Sequence, residues 1–105
     1  MSVDISIRAK REIDIYEGNI TYNLAPMYYK AIDEDLGLEK LQGMSCKEAL
    51  PIIEKAIKDM IEKKEEYEKL NPSNGWGTYK GLLDTFKKIR NVCEENSDGK
   101  FELYF

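Results

Sequence analysis

Near the start of the chain, apolar and polar positions alternate with a period of two. Because successive side chains of a strand point to opposite sides, this pattern predicts a strand with one buried face. The apolar members are Val3, Ile5 and Ile7. A second strand-like stretch covers residues 12–15, where acidic residues alternate with isoleucines. Residues 9–11 between them form a turn, a bulge or the middle of one long strand, and Gly18 is the expected break afterwards.

The same alternation returns at the other end of the chain. Phe101, Leu103 and Phe105 alternate with Glu102 and Tyr104, which predicts a C-terminal strand. We expect this strand to be held in a sheet with the N-terminal strand, or in a sheet shared with another subunit.

Between the strands, apolar residues recur at spacings of three and four, which predicts three helices. The first contains Pro26 in its opening turn, with Thr21 or Asn23 as its cap, and ends near residues 35–37. The second follows a capping box formed by Ser45 and Glu48. The third runs from near residue 78 to about residue 95. The apolar stripes are Leu24, Met27, Tyr28, Ala31 and Ile32; Ala49, Ile53, Ala56, Ile57, Met60 and Ile61; and Tyr79, Leu82, Leu83, Phe86, Ile89 and Cys93.

This order of elements predicts an α+β fold. The terminal strands form a small antiparallel sheet, made of the N-terminal strand or strands and the C-terminal strand, packed against three helices. A chain of 105 residues is long enough for one hydrophobic core, so we expect a single domain over residues 1–105.

The net charge of the chain limits the classes of molecule that it is expected to bind. The chain has 20 acidic and 16 basic residues, a net charge of −4. Displacing counterions from nucleic acid requires a basic face, so we expect no general nucleic-acid binding. Basic and acidic residues are interspersed, and the sequence has no long apolar run, which argues against a membrane role. With no signal-peptide pattern at its start, we expect a cytoplasmic location in the cell where the protein is made.

The chain has no histidine, which excludes Ser-His-Asp and Cys-His nucleophile systems. Cys46 and Cys93 are isolated and lack metal-ligand spacing, so we expect two free, partly buried thiols and no zinc site. The acidic residues 33–35 lack the alternating ligands of a calcium loop. We therefore predict no catalytic residue, no metal and no cofactor.

The first candidate binding segment is residues 71–79, NPSNGWGTY. Trp76 offers a flat ring for stacking, Gly75 and Gly77 allow a tight turn, and Thr78 can cap the following helix. Free N–H groups at a helix start attract anions, which makes the segment a possible nucleotide cradle. Its candidate ligand-binding residues are Asn74, Gly75, Trp76, Gly77, Thr78 and Tyr79. The alternative is structural: Trp76 fastens the loop to the core and Tyr79 lies at its edge.

The second candidate segment is residues 19–27, NITYNLAPM. If it is extended, Asn19, Thr21 and Asn23 share one face and offer two amides and a hydroxyl to a base edge or a ribose. The alternative is that these side chains cap the next helix and close a turn. Arg90 is the best-placed of the arginines for a phosphate group, and its alternative is an ordinary surface pairing.

These two segments resemble a family of small bacteriophage and prophage proteins. The family has an Asn-hydrophobic-Thr-Tyr/His-Asn-hydrophobic-x-Pro-Met stretch followed later by Asn-Pro-x-Asn-Gly-Trp-Gly-x-Tyr. The similarity extends from about Asp14 to the C-terminus, and Tyr22 stands where relatives often have histidine. The resemblance implies a viral protein that counteracts bacterial defence, acting as a sponge that sequesters nucleotide signals.

The leading hypothesis is therefore a non-enzymatic homo-oligomer that binds a nucleotide-like small molecule. The second is a protein–protein inhibitor of a host defence component. The third is a small hydrolase that uses a carboxylate or Tyr22 with a borrowed metal, and the missing histidine makes it the weakest.

Overall fold

The two ends of the sequence meet in one antiparallel sheet in a computed structural model of the chain, which describes residues 2–9, 14–75 and 77–105. Strand β1, Ser2–Arg8, lies in the centre. Strand β2, Asp14–Thr21, and strand β3, Lys100–Tyr104, flank it in the order β2-β1-β3. The predicted α+β fold and the pairing of the terminal strands are confirmed.

Strand β2 is longer than the sequence suggested, because Gly18 lies inside it and does not end it. The register shifts where Ile7 pairs with Tyr16 and Arg8 pairs with Asp14, which leaves one extra residue in β2, a β-bulge. A Cβ built at Gly18 would lie 2.5 Å from the Tyr16 hydroxyl. Any larger residue at position 18 would therefore displace the Tyr16 ring, which lies along its own strand. The part of the predicted strand at residues 12 and 13 lies outside the described residues.

Four α-helices form within the described residues, where the sequence predicted three. They are α1 (Ala25–Ala31), α2 (Cys46–Glu62), α3 (Lys64–Glu68) and α4 (Tyr79–Glu95), with 3-10 turns at Tyr22–Leu24 and Gly37–Leu41. Helix α1 ends earlier than expected. The Asp33 carboxylate accepts the N–H groups of Asp35 and Leu36, both at 2.8 Å, and this turn competes with continuation of the helix.

Helix α2 begins at the predicted capping box. The Ser45 hydroxyl accepts the Glu48 N–H at 3.1 Å, and the Glu48 carboxylate accepts the Ser45 N–H at 3.1 Å. The bonds that the Glu48 carboxylate accepts from the Ser45 N–H and hydroxyl lower the pKa of Glu48 below its ordinary value. Two groups that would otherwise lack partners at the helix start are satisfied, which fixes where α2 begins.

Helices α2 and α4 pack on each other and, with the sheet, enclose the core. All the apolar stripe positions of the last helix are buried, as predicted. Two other expected core members are exposed instead. Ile61 is 53% exposed and Phe105 is 58% exposed, because α2 has passed the edge of the packed layer and the chain has left β3.

The charged stretch at residues 63–69, after α2, is anchored to the core by Tyr67. Its side chain is fully buried, its ring lies 6.3 Å from that of Tyr79, and the Lys30 ammonium lies 5.5 Å above it. Its hydroxyl donates to Asp59. Desolvation opposes a low pKa for Asp59, but hydrogen bonds from Tyr67 and Lys63 outweigh it and hold the pKa below 3.8. The acidic and basic neighbours of Tyr67 stay exposed around this anchor.

Cys46 and Cys93 are free thiols, as predicted, and both are buried. They lie within hydrogen-bonding reach of each other. Burial raises the pKa of both thiols. Since the thiolate is the reactive form, both side chains act as core residues.

The outer edge of β3 is covered by residues 42–45. The Gln42 side chain donates to the Leu103 carbonyl at 2.9 Å and accepts the Leu103 N–H at 2.8 Å. Main-chain bonds then join Gly43 to the Phe101 carbonyl and the Phe101 N–H to Met44, at 3.1 and 2.9 Å. The Gln42 amide thus replaces a neighbouring strand and satisfies the edge.

We expect Gln42→Ala to lower the free energy of unfolding by about 1–2 kcal/mol, because it leaves two backbone groups of Leu103 without their side-chain partner. Urea unfolding followed by circular dichroism measures this change. Glu39→Ala, in the preceding 3-10 turn and exposed, is the matched control and should change stability little. Equal effects of the two substitutions would contradict the role given to Gln42.

Candidate functional site

The two candidate segments, far apart in sequence, lie side by side in the fold. The Asn74 side chain donates to the Asn23 side chain at 3.4 Å. A Cβ built at Gly77 would lie 2.9 Å from both Leu24 Cγ and Thr21 Cγ2. This spacing is closer than real Cβ contacts allow, so only glycine permits the two backbones to approach this far.

A depression of about 300 Å³ opens where the segments meet, and we call it the inter-segment depression. Its lining residues are Asn19, Ile20, Thr21, Leu24, Gly77, Thr78, Gly81, Leu82 and Thr85. All are uncharged and none titrates near neutral pH. Ile20, Leu24 and Leu82 are buried, whereas the amide of Asn19 and the hydroxyl of Thr78 are on exposed residues. The surface combines an apolar base with hydrogen-bonding groups, as small-molecule sites do.

The predicted row of three polar side chains is only partly formed. Asn19 and Thr21 lie on one face of β2, but Asn23 has left the strand and belongs to the 3-10 turn. The Thr21 hydroxyl accepts the Asn23 N–H at 3.3 Å and its side-chain amide at 3.1 Å. Thr21 therefore has the capping role that was the alternative prediction. Its local hydrogen bonds turn the chain before Asn23 can take a position in the strand beside Asn19 and Thr21.

The start of α4 is already capped by the protein. The Thr78 hydroxyl accepts the Gly81 N–H at 3.0 Å, and the Asn71 side chain accepts the Tyr79 N–H at 2.7 Å. Gly75 and Gly77 have positive φ angles of 75° and 100°, which glycine adopts readily. With these N–H groups occupied, the uncharged groups of the depression are better suited to a ligand than the helix start is to a phosphate.

Among the predicted site residues that the structure describes, those outside the lining of this depression are Asn23, Asn74, Gly75, Tyr79 and Arg90. Tyr79 is 6% exposed, and its hydroxyl donates to the Met60 carbonyl at 2.7 Å, so it is part of the core. Arg90 lies in a groove between α2 and α4, where it pairs with Glu94 at 3.9 Å. Trp76, the predicted stacking ring, lies outside the described residues.

Sequence reasoning missed Thr85. It lies one helical turn after Gly81, and its hydroxyl donates to the Gly81 carbonyl at 3.0 Å. Its position on α4, off the apolar stripe, was the only available signal. Assigning it to a site required knowing that this side of α4 lies beside β2.

A second cleft, of about 480 Å³, lies on the face of the sheet away from the helices. Its charged and aromatic lining residues are Asp4, Arg8, Asp14, Glu17, Glu102 and Tyr104. Arg8 pairs with Asp14 at 2.9 Å. A hydrogen bond between Asp14 and Glu17 lowers the pKa of Asp14 and raises that of Glu17, and Arg8 adds to the lowering at Asp14. This outer sheet face is acidic, in contrast to the uncharged depression.

Comparisons of the chain with protein-family models, with curated proteins and with solved structures give no match. Among the described residues, the structure has no cluster of three or more side chains arranged to hold a metal ion. In the same part of the chain, no helix is both long and apolar enough to span a bilayer.

Proposed function

We propose that this chain is a non-enzymatic binding protein that holds a nucleotide-like small molecule in the inter-segment depression. The observation that supports the proposal is the close packing of Gly77 on Thr21 and Leu24, which joins the two candidate segments into one surface. The base and sugar of the ligand would occupy this surface, since its lining is uncharged.

The chemistry of the lining favours binding over turnover. The amide of Asn19 and the hydroxyls of Thr78 and Thr85 offer both donors and acceptors to a base edge or a ribose. Ile20 and Leu82 offer apolar contact to a ring face. General acid–base catalysis needs a titratable group within reach of the substrate, and the lining residues provide none.

The biological role follows from the resemblance to phage proteins and not from the depression. In this proposal, the protein counteracts bacterial defence by sequestering a nucleotide signal in the host cytoplasm. A sponge needs tight binding without chemical change, and such a function is compatible with a small chain that lacks histidine.

The direct test is mass spectrometry of the small molecules released on heating, after the protein has been incubated with a panel of nucleosides and nucleotide signals. Recovery of an intact nucleotide near stoichiometry is the expected result. A chemically altered nucleotide would indicate an enzyme, and an empty protein would overturn the proposal in favour of a protein partner.

Substitutions then locate the site of any recovered ligand. We expect Thr85→Val, which keeps the shape of the side chain but removes its hydroxyl, to weaken binding about fivefold to tenfold, the value of one hydrogen bond. Arg90→Ala is the control, because Arg90 lies outside the depression. Isothermal titration calorimetry measures the affinity of both variants for the ligand. A loss with Arg90→Ala and none with Thr85→Val would move the site to the groove between α2 and α4.

The outer sheet face favours a second candidate function, inhibition of a host protein. Tyr104 is 63% exposed there, close to the carboxylates of Asp4 and Glu102. An exposed aromatic side chain among acidic groups suits a basic partner surface. In this alternative, Tyr104→Ala abolishes the pull-down of one stoichiometric basic host protein, whereas Thr85→Val does not.

A further inference from the structure

Among the residues that the structure describes, none pairs with the outer edge of β2. The strand is eight residues long, and its inner edge pairs with β1 over its whole length. Within the described part of the chain, no backbone hydrogen bond reaches its outward N–H and C=O groups from another element. An unpaired edge of this length is a ready template for another strand.

The two edges of the sheet differ in whether other residues pair with their backbone groups. The β3 edge is covered by Gln42, Gly43 and Met44. The β2 edge contains neither lysine nor proline, the residues that usually protect a solvent-exposed edge, and its bulge lies only at the Asp14 end. The open edge is therefore better suited to pairing with another strand than to exposure to solvent.

We propose that β2 pairs antiparallel with β2 of a second copy about a two-fold axis at Gly18, joining two sheets into one of six strands. A two-fold axis makes the contact self-complementary, because each copy presents the same surface. Backbone hydrogen bonds along the edge supply the affinity, as in other strand-addition contacts.

The side chains of β2 select this register. Residues directly opposite in an antiparallel pair lie on the same face, so the axis must pass through a residue position. An axis at Glu17 would place two carboxylates opposite each other, which is destabilising. An axis at Asn19 would place Tyr16 opposite residue 22, which has left the strand, and would shorten the pairing.

The axis at Gly18 avoids both problems. Glu17 then lies opposite Asn19 of the second copy on the outer face, a carboxylate opposite an amide donor. On the core face Tyr16 lies opposite Ile20 of the second copy, and aromatic residues paired with β-branched ones stabilise sheets. Tyr16 is only partly buried in one copy, so the pairing would cover apolar surface as well as backbone.

The second copy would also complete the inter-segment depression, and this part of the inference rests on the proposed function. Asn19, Ile20 and Thr21 belong both to the open edge and to the depression. In the Gly18 register, Tyr16 and Glu17 of the second copy lie next to Ile20 and Asn19. The site would then gain a wall that one copy lacks.

The test of the pairing uses no ligand, so its failure is distinct from failure of the proposed function. Light scattering coupled to size exclusion should give a dimer for the wild-type chain at concentrations up to about 100 µM, the range expected of a modest interface. Glu17→Lys with Asn19→Lys should give a monomer, because each lysine then faces a lysine of the second copy.

Glu102→Lys with Tyr104→Lys is the matched control. It makes the same change in charge at the same two-residue spacing on the same face, but on β3, and should remain a dimer. Circular dichroism checks that both double variants fold. A wild-type monomer, or a dimer lost only in the β3 variant, would overturn the proposal.

Disulfide trapping tests the register. Copies carrying Glu17→Cys are mixed with copies carrying Asn19→Cys in the presence of oxidised glutathione, which is reduced as the two thiols join. Residues directly opposite are close enough for a disulfide, whereas diagonal ones lie about 7–8 Å apart. We expect cross-linking in the mixture and little in either variant alone; equal yields in all three would refute the Gly18 axis.

Discussion

Gly77→Ala is expected to destabilise the protein by about 2–6 kcal/mol and to abolish ligand binding in the inter-segment depression. Two costs add. The φ angle of 100° is strained for any residue with a Cβ, by about 1–3 kcal/mol. The new methyl group would also lie 2.9 Å from both Leu24 and Thr21, and relieving that overlap costs about 1–3 kcal/mol.

Gly75→Ala separates these two costs. Its φ angle of 75° is also positive, but a Cβ there meets nothing within 4 Å. We therefore expect a loss of about 1 kcal/mol, from backbone strain alone. Urea unfolding of both variants gives the difference in stability, and calorimetry with the recovered ligand gives the difference in affinity. If the two alanine variants behave alike, the close contact between the segments does not hold the site together.

The second large effect is expected at Tyr67. Removing its side chain with Tyr67→Ala should lower the free energy of unfolding by about 3–5 kcal/mol, as for other fully buried aromatic residues. The substitution removes the ring contact with Tyr79 and thereby releases α3 from the rest of the fold. Tyr29→Ala is the control, because Tyr29 is 40% exposed and its ring stacks against Tyr28 at the surface. A loss of similar size in the control would contradict the anchoring role.

Tyr67→Phe isolates the hydrogen bond to Asp59. Burial raises the pKa of Tyr67, so its hydroxyl stays protonated and donates. The pKa of Asp59 is lowered in the folded state, so its contribution to stability is present above the ordinary value of 3.8 and lost as the pH falls through the folded value. Tyr67→Phe should therefore lower stability more at pH 7 than at pH 3. A constant difference between these pH values would show that the Asp59 carboxylate is not involved.

Much of the fold could be predicted from local patterns. The period of two in β1, the capping box at Ser45 and the stripe along α4 each act over a few residues, and each appears in the structure as predicted. The errors arose where distant contacts decide the outcome. Gly18 was taken as a break because glycine disfavours strands, but its pairing with Ile5 of β1 holds it in β2.

The residues of the candidate site, like the fold, could be predicted from the sequence only in part. Residues of the two segments could be selected because asparagine, threonine and glycine cluster beside helix starts. Tyr79 and Arg90 could not be separated from the residues that line the depression, since the face of α4 that each occupies depends on where α2 packs. Thr85 belongs to the depression only because the first turns of α4 lie beside β2.

The paired thiols of Cys46 and Cys93 provide a built-in probe of motion. Both are buried in the core between α2, α4 and the turn at Gly99, so a thiol reagent can reach them only after this region opens. The rate at which the unmodified protein takes up label therefore reports the population of opened molecules. Slower labelling on addition of a nucleotide or at higher protein concentration would then register binding or self-association without any introduced dye.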